Sequence, residues 1–249
     1  MDLQGKVALI TGGTRGIGAA AAIEMARRGA DVAIVGRNED EDTVKTMAAL
    51  QAIGGRSLLI LADMGKPEDA ARSVQETVDR LGGVDVLVHS AGTFVPGGLL
   101  EITPEAWNQA FNVHVHAIYH LCRAAVPLMQ KKKEGVVILI SSVAALRGLP
   151  FGMAYQVVKG TLPQFARAMA REFAPDNIRV NAIAPGIIRT RFHAHMTPQQ
   201  YQLNIEHRIP LRREGTPDQV GRFIAEVVEN EYITGQTLTI DGGLTMRMA

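Results

Sequence analysis

Short runs of β-branched and apolar residues alternate along the chain with longer segments whose apolar positions recur at helical spacing. The first run, Val7–Thr11, is followed by Gly12-Gly13-Thr14-Arg15-Gly16-Ile17-Gly18 and an alanine-rich segment reaching Gly29. That order predicts strand, glycine turn, helix. Further strands are expected at 31–37, 56–63 and 84–90, each separated by a helical stretch, and then at 135–142, 178–183 and 237–240. In segment 104–130, Trp107, Phe111, Ile118, Leu121, Cys122 and Val126 form an apolar face suited to pack on a sheet. Residues 153–173 read as another helix, within which Pro163 is a misfit. It cannot donate to the Lys159 carbonyl, so a kink or a local unwinding is expected. Repeated strand–helix units imply an α/β fold, a parallel sheet covered by helices on both faces.

Composition narrows this picture. With 249 residues, 47% of them hydrophobic, the chain can bury a large core, and one domain spanning 1–249 is expected. The formal charge is +1 with acids and bases interspersed, so nothing suggests a polyanion-binding surface and nucleic acid is not an expected partner. Lys131-Lys132-Lys133 reads as a solvated helix end. The single cysteine, Cys122, excludes an internal disulfide and fits a reducing compartment. Residues 1–6 lack the layout of a signal peptide, and no apolar run is long enough to span a bilayer. A cytoplasmic protein without membrane association is expected.

Candidate chemistry sits at Ser142 and Tyr155-Gln156-Val157-Val158-Lys159. On a helix Tyr155 and Lys159 stand one turn apart, so the ammonium favours the ionised phenol and makes Tyr155 a proton donor and acceptor. Ser142 closes a strand, where ligands meet parallel sheets, and its hydroxyl is placed to hold a carbonyl oxygen. An exposed i,i+4 pair would leave the same trace, so the surrounding chain has to decide. The glycine turn has the context that a phosphate pair requires: it follows a strand and opens a helix with free N–H groups.

Thr11-Gly12-x-x-x-Gly16-x-Gly18, Ser90-Ala91-Gly92, Ser142, Tyr155-x-x-x-Lys159, Pro185-Gly186 and Ile233-Thr234-Gly235-Gln236 occur in that order. With them the chain resembles the classical branch of the short-chain dehydrogenase/reductase family over its full length. In appearance it is nearest to the 3-oxoacyl-(acyl-carrier-protein) reductases. The resemblance implies a doubly wound Rossmann sheet of seven strands, a nicotinamide dinucleotide, and hydride transfer between that cofactor and a ketone or secondary alcohol. It further implies Tyr155 as acid/base, Lys159 as the group that holds the nicotinamide ribose and lowers the tyrosine pKa, and Ser142 as the group orienting the substrate oxygen. Ser141 is then a structural neighbour. The cofactor is expected against Gly12, Thr14, Arg15, Gly16, Ile17 and Gly18, with Asp63 and Met64 at the adenine and Ser90, Ala91 and Gly92 at the adenosine ribose. Pro185 and Gly186 follow strand six, and Ile188 and Thr190 face the carboxamide.

Gly36 stands where NAD-selective relatives end strand two with an acid, and Arg37 follows it. Arg15 and Arg37 could both reach a 2′-phosphate or merely face water; the missing acid points to NADP(H) rather than NAD(H). The substrate loop is expected at about 187–213. Arg189, Arg191, Arg208, Arg212 and Arg213 stand there against Glu206, which suits an anionic substrate or, equally, pairing with neighbouring subunits or plain exposure to water. His193, His195 and His207 lack a matching ligand set, so no metal is expected. Lys131 to Lys133 would suit docking of an acidic carrier, but Pro175-Asp176-Asn177 places an acid there. A reductase of unassigned carbonyl substrate is therefore preferred to the carrier-protein reductase, and both to a dinucleotide sensor, which needs no proton donor. The family also implies self-association as a homotetramer or dimer, with the tail 246–249 near an interface.

One departure concerns proton relay. Relatives carry an asparagine on the 104–130 helix that holds a relay water near the lysine; registration on Trp107 and Ser142 puts His114 there and leaves Asn112 two residues upstream. Two residues are about 200° of rotation, so Asn112 should face away. His114 reads either as a buried spacer or as the catalytic relay group. His89 replaces a second family asparagine.

Overall fold

The computed structural model describes residues 1–191 and 196–246. Seven parallel strands form one sheet in the order β3-β2-β1-β4-β5-β6-β7. They are β1 (Val7–Thr11), β2 (Asp31–Gly36), β3 (Ser57–Leu61), β4 (Val86–His89), β5 (Gly135–Ile140), β6 (Ile178–Pro185) and β7 (Thr237–Ile240). The helices are α1 (Gly16–Arg27), α2 (Glu41–Ile53), α3 (Pro67–Leu81), α4 (Pro104–Phe111), α5 (Ala117–Lys132), α6 (Met153–Phe173), α7 (Pro198–Leu203) and α8 (Pro217–Glu229). Successive strand residues feed opposite cores. Val7 and Leu9 join Leu87, Val137 and Leu139 beneath α3, α5 and α6. Ala8 and Ile10 join Val86, Val88, Val136 and Ile138 beneath α1 and α8. On that second face α1 and α8 pack closely, since a Cβ on Gly221 would lie 2.6 Å from the Ala20 carbonyl carbon.

Strand order reverses between β1 and β4, which opens a crevice at their carboxyl ends. The glycine turn leaves β1 there and Ser90–Gly92 leaves β4. Four of the expected strands are shorter by one or two residues at one or both ends; β6 instead continues to Pro185, paired with Ile240 of β7.

Two helices depart from the regular pattern. The 104–130 segment is broken by a π-helical turn over Asn112–His116. Helix α6 does not unwind at Pro163; it stays helical from Met153 to Phe173. The Lys159 carbonyl that Pro163 cannot serve accepts a hydrogen bond from Ser141 Oγ at 2.9 Å. Among the described residues no helix is long and apolar enough to cross a membrane.

Candidate active site

The glycine turn is a cradle that side chains would fill. Gly12 and Gly16 have φ of +64° and +57°, and a Cβ on Gly12 would lie 2.8 Å from the Ala91 backbone. A Cβ on Gly18 would lie 2.2 Å from the Gly12 carbonyl oxygen. Thr190 arrives from the end of β6, its methyl 3.4 Å from the place of a Gly16 Cβ. Thr11 ties the two loops together: its carbonyl takes the Ser90 N–H at 3.1 Å and its hydroxyl takes the Ala91 N–H at 3.3 Å. This glycine-lined surface at the start of α1 fits a dinucleotide pyrophosphate. Gly186 N–H donates to Ile240, while Ile188 is buried and bridges to Gly215. The Asp63 carboxylate accepts the Gly65 N–H, and Met64 is buried.

Ser142, Tyr155 and Lys159 meet at the carboxyl end of β5. Ser142 Oγ accepts the Ala144 N–H at 3.1 Å and shares a hydrogen bond with the Tyr155 hydroxyl. Lys159 Nζ lies 5.8 Å from the Tyr155 ring centre and donates to the Ile140 carbonyl at 2.6 Å. Burial outweighs the pairwise attraction expected between these groups. It pushes the Tyr155 pKa up, opposed by the Ser142 hydrogen bond, and pushes Lys159 down to about 7. The expected lowering of the tyrosine pKa by the lysine is therefore absent: near neutrality Tyr155 keeps its proton.

His114 is buried against this group. Its ring stands edge-on to Tyr155 with centres 6.1 Å apart. Nε2 lies 3.1 Å from the Thr93 carbonyl and 3.3 Å from the Thr93 amide, while Nδ1 has no hydrogen-bond partner among the described residues. The shorter contact assigns the proton to Nε2 and leaves Nδ1 as an acceptor. Gly92 makes the approach possible, since a Cβ there would lie 2.2 Å from His114 Cε1. Burial first, then the charge of Lys159, holds the His114 pKa well below the usual histidine range. Asn112 is elsewhere: its Oδ1 pairs with His116 Nδ1 at 3.0 Å on the exposed side.

Several partners escaped the sequence. Arg15 is held by Asp40 at 2.5 Å and approaches Asp42 at 3.7 Å; Asp42 also takes Arg191 at 3.0 Å. Arg37 is exposed and forms no ion pair among the described residues. Gly36 is spoken for: a Cβ there would lie 2.4 Å from the Thr14 methyl. In the 187–213 loop Arg189 pairs with the buried Glu214 at 3.2 Å, so the basic excess read from the loop alone is partly neutralised from outside it. Lys132 pairs with Asp85, and Lys133 with Asp176. Phe94 packs on Tyr155 with ring centres 5.4 Å apart and the planes tilted by 59°. His193, His195 and residues 247–249 lie outside the described residues. Within the described residues no group of three or more histidine, cysteine or acidic side chains could hold a metal ion.

Residues 12–245 match a protein family described as enoyl-(acyl carrier protein) reductase. General stress protein 39 of Bacillus subtilis is 36% identical over 244 residues, covering 97% of this chain and 85% of that protein. The 3-oxoacyl-(acyl-carrier-protein) reductase FabG of Chlamydia muridarum is 33% identical, covering 97% and 98%. A short chain dehydrogenase from Burkholderia cenocepacia, solved in complex with NADP, superposes with a TM-score of 0.90 at 34% identity, covering 98% and 99%. With these matches spanning nearly the whole of its length, the chain belongs to the short-chain dehydrogenase/reductase family of oxidoreductases.

Proposed function

We propose that the protein transfers hydride between NADP(H) and a ketone or secondary alcohol, with Tyr155 as the acid/base. The observation that carries this reading is the hydrogen bond between Ser142 and Tyr155 beside buried Lys159. When bound, the nicotinamide supplies or accepts the hydride. In the reducing direction Ser142 and Tyr155 present two hydroxyls to one carbonyl oxygen, and Tyr155, protonated at neutral pH, gives its proton as the alkoxide forms. Lys159 holds the nicotinamide ribose and stands behind Tyr155 as a proton source, its pKa of about 7 suited to exchange near neutrality. His114 Nδ1 accepts a hydrogen bond from the relay water that resupplies the proton.

NADP(H) is favoured over NAD(H) because position 36 is closed to an acid by Thr14, while Arg37 is exposed without an ion pair among the described residues and Arg15 lies in the turn. The relative from Burkholderia cenocepacia was solved with NADP. Asp40 and Asp42 oppose this, since a 2′-phosphate has to compete with them for Arg15. The cofactor is assigned to the cradle residues, Asp63, Met64, Ser90 to Gly92, and Pro185 to Thr190. A second reading, 3-oxoacyl-(acyl-carrier-protein) reductase, is favoured by one relative's name but weakened by the pairing of Lys132 and Lys133 with acids. The protein is assigned to the cytoplasm, consistent with Cys122 as a buried free thiol. It is assigned a homotetramer or dimer, consistent with Tyr119 of α5 and Val157 of α6 being exposed.

The test is a screen of NADPH and NADH oxidation against ketones, sugars and acyl thioesters, repeated with Tyr155→Phe. The variant should bind NADPH and lose turnover by about a hundredfold or more. Near-normal turnover of Tyr155→Phe, or a preference for NADH, would overturn the corresponding half of the reading.

A further inference from the structure

The carbonyl of Lys159 is in an unusual position for a buried helix. Four residues on, Pro163 has no N–H, so the carbonyl lacks its helical donor. A buried carbonyl left without a donor is destabilising. Ser141, 2% exposed at the end of β5, fills the gap with its hydroxyl at 2.9 Å. Its own amide is anchored across the sheet on the Ile183 carbonyl at 2.7 Å. One residue earlier, the Ile140 carbonyl takes Lys159 Nζ at 2.6 Å. Consecutive residues leaving β5 therefore grip Lys159 at both ends, one at its main chain and one at its ammonium.

From this we infer that Ser141 and Pro163 act as a pair that positions Lys159, with Pro163 freeing the carbonyl and Ser141 using it to fix the helix against the end of β5. Ser141 is then a positioning residue, while Ser142 touches the reacting oxygen. The inference rests on Lys159 belonging to the machinery proposed above. It makes a specific claim of interdependence: alanine at 163 restores the helical N–H, and the serine hydroxyl becomes dispensable.

The experiment is the full cycle of wild type, Ser141→Ala, Pro163→Ala and the double variant, each read for kcat and KM with NADPH, for the pH profile, and for Tm. Ser141→Ala should lower kcat/KM by about tenfold, the equivalent of one buried hydrogen bond, and displace the ionisation assigned to Lys159. In the Pro163→Ala background the same change should cost about twofold or less and leave the profile in place. Should Ser141→Ala fail to fold while the double variant folds, the interdependence is supported; failure in both backgrounds, or equal loss in both, overturns it. A merely structural Ser141 would lower Tm and leave the pH profile of the folded enzyme unmoved, which also overturns it. Lys159→Met separates the two readings: if it retains turnover, the role of Lys159 fails, whatever the cycle shows.

Discussion

Replacing Lys159 by methionine should make the protein more stable and inactive. Burial lowers the Lys159 pKa from its ordinary 10.5 to about 7. At 1.36 kcal/mol per pKa unit, holding the ammonium in place costs about 5 kcal/mol wherever both folded and unfolded chains are protonated, that is, below pH 7. Between pH 7 and 10.5 the unfolded chain binds the extra proton, so this cost shrinks as pH rises, to about 2 kcal/mol at pH 9. Methionine fills the same volume without a charge but leaves the Ile140 carbonyl without its donor, which offsets about 1 kcal/mol. Lys159→Met should therefore gain about 4 kcal/mol at pH 6 and about 1 kcal/mol at pH 9. Urea unfolding of both proteins at the two pH values, followed by Trp107 fluorescence and far-ultraviolet circular dichroism, reads the difference directly. The buried histidines are common to both proteins, and burial, the larger cause that keeps them neutral, is unchanged by the substitution. Parallel pH dependence in the two proteins would refute the reasoning, as it would show that Lys159 keeps an ordinary pKa.

Two further outcomes follow. Gly36→Asp should cost stability rather than confer NADH use, because its Cβ would sit 2.4 Å from the Thr14 methyl; adding Thr14→Ala should restore Tm and only then permit NADH turnover, and an unchanged Tm for the single variant would contradict this. His114→Asn should keep substantial activity and leave the pH profile between pH 6 and 9 in place, since His114 is neutral throughout that range, whereas His114→Ala should lose most turnover while still binding NADPH; normal turnover by His114→Ala would remove it from the relay.

The sheet was legible because its evidence is local: β-branched runs, glycine turns and helical spacing each reflect a few neighbouring residues. Strand order came from the family resemblance, since no pattern in the chain says that β4 lies beside β1. What escaped was set by distant partners. The π turn over Asn112–His116 follows an apolar pattern that an unbroken helix satisfies equally well. The expected phenol–ammonium effect had its parts right, but burial of both groups was the larger quantity and is invisible to spacing. Ion pairing was misjudged for the same reason. Arg15 and Arg191 find Asp40 and Asp42 at the start of α2, and Arg189 finds Glu214, none of which lies inside the loop or turn from which these arginines were read. Pro163 shows in the sequence as a flaw in a helix, yet its partner Ser141 stands twenty-two positions earlier and carries no mark of its own.

The two buried histidines, His89 and His114, are joined physically. His89 Nδ1 pairs with the Thr11 hydroxyl at 2.9 Å and its Nε2 with the Val113 carbonyl at 3.0 Å. A carbonyl only accepts, so Nε2 carries the proton and Nδ1 accepts from Thr11. The same Thr11 hydroxyl accepts from Ala91, at the head of the loop that carries Gly92 and Thr93. His89 therefore holds both supports of His114: the peptide that precedes it in the π turn, and the loop whose Thr93 receives its Nε2. Full burial keeps His89 neutral, with a pKa of about 3, so this frame does not titrate where the enzyme works. Asparagine at 89 is shorter and presents no equivalent pair of ring nitrogens spanning from Thr11 to Val113. With β4 reaching the π turn through an imidazole, Nδ1 of His114 is held beside Tyr155 by hydrogen bonds, and the histidine at 89 is part of what lets a histidine at 114 face the site.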